Sequence, residues 1–216
     1  MTILALADIH GAYERMMEVV RAHPEADALL IAGDLTTHGT VEETEAAIEM
    51  LRTSGKPVFA VAGNMDPPEL DDVFVRLGVS LNARGVVLNN VGLFGVSAAP
   101  LSPLMTPNEI PEEEISRRAE LGLAHIASAR WKIFVPHAPP FNTRLDVVRS
   151  GRHVGSRAVR TFVERWKPDV VVCGHIHEAR GIDSIGKTVA INCGPAGQGM
   201  CGVISLAKDV VVRAEP

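Results

Sequence analysis

Two pairs of side chains, Asp8-Ile9-His10 and His175-Ile176-His177, set carboxylate oxygen and imidazole nitrogen one residue apart, in the spacings D-x-H and H-x-H. Asp34, Asn64 and His137 supply further donors of the same kinds, each directly after a glycine or a proline. No thiolate belongs to this set, which suits manganese, iron, zinc or nickel and does not by itself choose among them; manganese is the expected metal. With three or four ligands to an ion, Asp8, His10, Asp34, Asn64, His137, His175 and His177 can serve two ions if one carboxylate is shared, and Asp34 is taken as the bridge. Two divalent ions about 3.5–4 Å apart can bring the pKa of a bound water to near 7 and stabilise the charge that grows on phosphate oxygens during in-line displacement. The chemistry expected is hydrolysis of a phosphate ester by a metal-bridging hydroxide, which needs no side-chain base.

Taken singly, each residue has a plainer explanation, since a lone His is often just hydrogen-bonded and an Asp at a strand end often caps the next helix. The elements that must hold them make that explanation hard to sustain. Ile3 to Ala7, Ala28 to Ala32, Val58 to Ala62, Ile133 to Val135 and Val170 to Cys173 are short apolar runs of the kind that forms strands covered on both faces. Every one of them ends in a candidate ligand. Helical segments at Ala12 to Ala22 and Val41 to Arg52 separate the first runs, giving the β-α-β alternation of a parallel sheet, whose strand ends lie along one edge. Thr40 with Glu43 reads as a capping box for the second helix, with Gly55 just beyond its end. Further helices are expected at Glu112 to Ala127, entered through Pro111, and at about Ser156 to Trp166, closed by Pro168.

Antiparallel signatures occupy the rest. Val86 to Leu88 and Val91 to Val96 flank Asn89-Asn90, Ile182 to Ile185 and Thr188 to Asn192 flank Gly186-Lys187, and Val203 to Leu206 faces Val210 to Arg213 across a short turn. Parallel strands with added hairpins and outer helices predict two sheets packed face to face between helical layers. The proline-rich stretch Ala99 to Pro111 reads as a long surface loop over the site.

At 216 residues and 23.1 kDa the chain is expected to form one domain over residues 1–216. Only 4% of residues are aromatic against 46% hydrophobic, so the core must be mainly aliphatic. A net charge of -5, with Lys and Arg scattered and no aromatic-basic interleaving, argues against a nucleic-acid surface, while a small anionic ester stays compatible because metal charge can dominate one pocket. Cys173, Cys193 and Cys201 form no C-x-x-C pair, no apolar run could span a bilayer, and no basic leader opens the chain, so a cytoplasmic protein is expected.

In their order along the chain, D-x-H, G-D, G-N, a lone His and G-H-x-H resemble the motifs of the calcineurin-like metallophosphoesterase superfamily, from Asp8 to His177. The resemblance implies a four-layer α/β/β/α sandwich with a dinuclear site at the sheet edges. One metal would take Asp8, His10 and His177, the other Asn64, His137 and His175, with Asp34 bridging, and the glycines before Asp34 and Asn64 would let the backbone approach the ions. Where many members read G-N-H-[DE], with the His assisting the leaving group, this chain reads Gly63-Asn64-Met65-Asp66. A thioether cannot donate a proton, which favours a phosphodiesterase over a phosphomonoesterase on the same metals. His38 and His153 are the candidates for a replacement acid, although each also reads as an exposed loop histidine; Asp66 is a candidate for orienting a ligand. Asn192-Cys193-Gly194-Pro195 resembles the Asn-Pro-Gly segment of small members, its glycine serving a tight turn near the metals. A non-catalytic scaffold of the same fold is the alternative from another class, and no ligand position is lost here to support it.

Overall fold

The computed structural model describes residues 1–216. In chain order it opens with β1 (Thr2–Leu6), α1 (Tyr13–Ala22), β2 (Ala28–Ala32), α2 (Val41–Arg52) and β3 (Val58–Val61). The three strands run parallel, Ile3 opposite Ala28 and Leu29 opposite Val58, with the helices as crossovers. Thr40 caps α2 by accepting the Glu43 N–H at 3.2 Å, but the Glu43 carboxylate takes the Tyr13 hydroxyl of α1 at 2.7 Å. Only half of the expected capping box forms, because the second half is replaced by a tie between helices.

A short helix that the sequence reading did not anticipate follows, α3 (Leu70–Arg76), entered after Pro67-Pro68 with Asp71 and Asp72 in its first turn. Its apolar residues Leu70, Val73 and Phe74 recur at helical spacing and are buried. Then come β4 (Gly85–Leu88) and β5 (Val91–Val96), a hairpin turned by Asn89 and Asn90 at φ 48° and 66°, the left-handed pair that a tight two-residue turn requires. Two-residue strands β6 (Ala99–Pro100) and β7 (Glu109–Ile110) pair in parallel and close the proline-rich loop.

Next, α4 (Glu112–Ala124) stops three residues before the expected Ala127. The His125 and Ile126 N–H groups bond to Gly122 and Leu123, a tightening that turns the buried Ile126 onto Gly92 of β5, where an added Cβ would meet its Cδ1 at 2.7 Å. The chain continues with β8 (Trp131–Pro136), α5 (Arg157–Trp166), β9 (Val170–Cys173), β10 (Gly181–Ile185), β11 (Thr188–Asn192), β12 (Cys201–Leu206) and β13 (Val210–Glu215). Ser156 caps α5 through the Val159 N–H at 3.1 Å.

The strands form one sheet ordered β13-β12-β1-β2-β3 and a second ordered β10-β11-β9-β8-β5-β4. Alternation along β1 explains the layering: Leu4 and Leu6 pack with Met16, Ile48 and Phe74 of the first helices, whereas Ile3 and Ala5 face Leu93, Ile133 and Ile191 of the other sheet. A third core joins Phe94, Phe134 and Val171 to Ile115 of α4 and Phe162 of α5. Three cores between four layers make the α/β/β/α sandwich, and they explain why the strand runs lack polar alternation, each being covered on both faces. No helix is long and apolar enough to cross a membrane.

Candidate metal centre

Five strand ends converge, and they belong to both sheets. Asp8 and His10 follow β1, Asp34 follows β2 and Asn64 follows β3, while His137 follows β8 and His175 and His177 follow β9. The turns are laced together: Asp8 N–H bonds to Gly33 O and His10 N–H to Asp34 O, both at 3.0 Å, and Gly174 N–H bonds to His137 O at 3.1 Å. Asp8, His10, Asp34 and His175 hold φ values of 52°, 49°, 51° and 71°. Left-handed backbone costs a residue with a side chain about 1–3 kcal/mol, and such strain concentrates where side chains must be aimed.

All seven predicted residues come together. Donor atoms of Asp8, His10 and His177 lie within 4.8 Å of one another, as do those of Asp8, Asp34 and His137. The Nε2 atoms of His10 and His177 face each other across 3.4 Å. Asn64 Oδ1 sits 2.9 Å from His137 Nε2 and 2.7 Å from His175 Nδ1. Between these groups stands Asp34, its Oδ2 3.7 Å from His10 Nε2 and 3.5 Å from His137 Nε2. Asp8, Asp34, Asn64 and His137 are buried, and His177 is exposed, so the cluster is closed below and open to solvent at one side.

Electrostatics and tautomers suit cations. Burial opposes protonation of His137, yet the Asp34 carboxylate overrides it and lifts the imidazole to about 9. For Asp34, burial pushes upward, and His137 with the Met65 N–H holds it down at about 2. Burial and the neighbouring His137 lower His175 to about 4, leaving a neutral ring whose lone pair is available. His137 Nδ1, placed 2.8 Å from Ala32 O, is assigned as the donor there, which aims Nε2 inward; His10 Nδ1 lies 2.9 Å from Thr37 Oγ1, with the same result. Buried carboxylates, an amide oxygen and inward imidazole nitrogens that contact mainly one another fit a pair of divalent cations.

The glycines before Asp34 and Asn64 have a steric role that the sequence reading did not name. A Cβ on Gly33 would lie 2.2 Å from His137 Nδ1, and one on Gly63 would lie 2.0 Å from Asp34 Oδ1. The missing side chain makes room for another candidate ligand, His137 at Gly33 and Asp34 at Gly63.

Beneath the cluster, the fully buried Asp66 accepts four bonds, from the N–H groups of Leu35, Thr36 and Gly63 and from the Thr36 hydroxyl, at 2.8–3.1 Å. It thereby joins the turn carrying Asp34 to the turn carrying Asn64. Asp66→Ala leaves those donors unpaired in the interior and is expected to lower stability by about 3 kcal/mol or more, read from urea denaturation. A change under about 1 kcal/mol would show that water replaces the carboxylate.

Three supports stand behind these residues: sequence reasoning missed Thr37 and Asn108, and it named the Asn192-Cys193-Gly194-Pro195 segment only for its glycine turn. Thr37 orients His10, as above. Asn108 donates to Gly63 O at 3.0 Å while its N–H bonds to Asn64 O, fastening the 101–108 loop beside the cluster. Asn192 donates to Ile176 O, between the two histidines, at 2.9 Å and accepts the Gly194 N–H at 3.0 Å. The segment it begins then joins β1, Ala196 N–H to Ala7 O at 2.8 Å, with Gly194 at φ 72°. Of the three only Asn192, a polar residue between Ile191 and Cys193, carries a local signal; Thr37 lies between Thr36 and His38, and Asn108 between Pro107 and Glu109.

Met65 gives its N–H to Asp34 Oδ1 at 2.8 Å, a contact any residue could make. His38 is exposed, at φ 54°, its N–H bonded to Met65 O at 3.0 Å and its imidazole unbonded. His153 is engaged elsewhere, Nδ1 lying 2.7 Å from Asp146 Oδ1 with the ring edge-on to Phe141. Cys173, Cys193 and Cys201 are buried and unpaired.

The Metallophos family model, described as calcineurin-like phosphoesterase, matches residues 1–179. An uncharacterized protein of Methanocaldococcus jannaschii is 33% identical over 202 residues, covering 90% of this chain and 88% of its own. A protein of Thermus thermophilus superposes with a TM-score of 0.76 at 19% identity, covering 98% of this chain and 97% of its own. An archaeal phosphodiesterase superposes with a TM-score of 0.56 at 15% identity, covering 100% and 99%. At these identities the two structures speak for the fold.

Proposed function

The chain belongs to the calcineurin-like phosphoesterase family, and from that premise we propose that it is a dinuclear-metal phosphodiesterase acting on a small phosphate ester, with residues 1–216 as one catalytic domain. Asp8, His10 and His177 would hold one ion and Asn64, His137 and His175 the other, with Asp34 near both groups. The observation that carries this reading is the position of Asp34 Oδ2, 3.7 Å from His10 Nε2 in one group and 3.5 Å from His137 Nε2 in the other.

Two bound divalent ions, manganese before iron, zinc or nickel, would supply a water acidic enough to attack at neutral pH and positive charge for the phosphate oxygens. The protein's own part is placement. Asn64 is held by the Asn108 clasp on its backbone, and His10 and His137 are aimed by Thr37 and the Ala32 carbonyl. Buried Asp8, Asp34, Asn64 and His137 close one side of the cluster, and the ester would approach from the side of the exposed His177. Met65 offers no proton to a departing alkoxide, which favours diesters and good leaving groups; of the two candidate histidines, His38 has a free imidazole and a backbone bond to Met65, whereas His153 is engaged by Asp146. Unpaired buried cysteines suit a reducing, cytoplasmic setting.

The test is hydrolysis of bis-nitrophenyl phosphate and of nitrophenyl phosphate after stripping with a chelator and reloading with Mn2+. Activity should vanish on stripping and return on reloading, with kcat/KM for the diester about tenfold or more above the monoester. A monoester preference would make the protein a phosphomonoesterase on the same metals, and neither metal uptake nor hydrolysis would make it a scaffold.

A further inference from the structure

Beside His177, outside the ligand cluster, lies a cavity of about 480 Å³ bounded by Arg149, His177, Glu178, Pro195, Gln198 and Met200. Its size suits a small chemical group continuous with whatever sits at His177. The exposed Arg149 guanidinium makes no ion pair and no hydrogen bond within the chain. Glu178, the one carboxylate in the wall, instead accepts the Arg149 backbone N–H at 3.2 Å, which pins the arginine's turn to the segment carrying His177.

A second arginine backs the same wall. Arg180 Cδ and Met200 Sδ lie together over Gly194, where an added Cβ would stand 2.8 and 2.9 Å from them, and Arg180 Nε is buried with no hydrogen-bond partner. Gln198 adds an exposed amide without a protein partner. Glu178 stands beside Arg149 without bonding its guanidinium, and Arg180 Nε has no acceptor, so guanidinium donors at this edge of the candidate centre lack hydrogen-bond partners. An anion answers that need better than a neutral polar group, because guanidinium binds carboxylate and phosphate through paired, charge-assisted hydrogen bonds.

We propose that this cavity takes a second anionic group of the substrate, phosphate or carboxylate, with Arg149 as its main contact. The inference rests on the phosphoesterase reading, in that the ester phosphorus is placed at the seven-residue cluster and the rest of the molecule crosses His177. The substrate is then a phosphate ester whose alcohol portion bears its own negative charge.

Calorimetric titration of the Mn2+-loaded protein with propylphosphonate, phosphonopropionate and propylenebisphosphonate tests this, since the three share one phosphonate and differ in the second group. One doubly anionic compound should bind about tenfold tighter than propylphosphonate, and which of the two does so identifies carboxylate or phosphate. Arg149→Ala should bring that ratio close to one, and Arg149→Lys should keep part of it. Equal binding of all three, or a ratio that survives Arg149→Ala, overturns the proposal. Failure of the phosphoesterase reading registers separately, as absent metal uptake and absent diester hydrolysis in the wild type.

Discussion

Asp34→Ala is expected to lower kcat/KM for the diester by about a thousandfold or more and to reduce the metal content of the purified protein to one ion or none. The size follows from where Asp34 stands: its Oδ2 is the only carboxylate oxygen paired with both His10 and His137, so its loss is felt by both groups of donors. Removing about 4 kcal/mol of transition-state charge stabilisation, the scale of metal-ion catalysis, corresponds to that factor in rate. A secondary effect has the same sign, because the Met65 N–H would lose its acceptor at 2.8 Å and the turns after β2 and β3 one of their links, leaving those through Asp66. Elemental analysis together with steady-state kinetics reads both consequences. A variant retaining two ions and near-normal rate would show that Asp34 is a structural link and that the ions, if bound, are held otherwise.

Gly63→Ala should be nearly as damaging although Gly63 carries no chemistry. The added Cβ would fall 2.0 Å from Asp34 Oδ1 and 2.3 Å from Asp34 N, and a backbone atom cannot step aside as a flexible side-chain end can. Asp34 is itself held at φ 51°, and the Gly63 N–H is tied to Asp66 at 2.8 Å, so neither partner is free to yield. Overpacking of this kind costs about 1–3 kcal/mol in stability, and displacing a ligand carboxylate is expected to lower metal affinity and activity by about a hundredfold. Gly55→Ala is the control: nothing lies within 4 Å of its added Cβ, and its φ of 71° predicts a stability loss of about 1 kcal/mol with metal content and kcat intact. Wild-type metal binding by Gly63→Ala would mean that the turn after β3 relaxes easily, and that the seven-residue cluster is less tightly specified than its contacts imply.

Much of the architecture was legible because its causes are local. Asn89-Asn90 can adopt the left-handed turn that closes β4 and β5, and Thr40 marks the start of α2 within its own first turn. What went unread depends on neighbours distant in sequence. Whether Glu43 completes a capping box depends on Tyr13 being opposite, and where α4 ends depends on Gly92 offering a seat for Ile126. The helix α3 was overlooked because seven residues carry too few turns to declare a period, though Pro67-Pro68 followed by Glu69, Asp71 and Asp72 is the composition of a helix entrance.

The same division runs through the candidate centre. By itself the sequence determined which donors exist and in what order, since the donor atom is a property of the residue and each donor follows an apolar run that can only be a covered strand. It also put Met65, which cannot donate a proton, directly after Asn64, where the resembled family often carries a histidine. Only the tertiary structure decided which donors stand within reach of one another. The first three strand ends belong to one sheet and the last two to the other, so the distance between them is set by how closely Ile3, Ala5 and Leu30 pack on Ile133, Val172 and Ile191. Asp66, Asn108 and Asn192 bond to backbone groups remote in sequence, and Arg149 and His177 line one cavity from different loops. The sequence could name Asp66 and the Asn192 segment as candidates but not their partners, because burial and hydrogen-bond partnership arise from packing between elements.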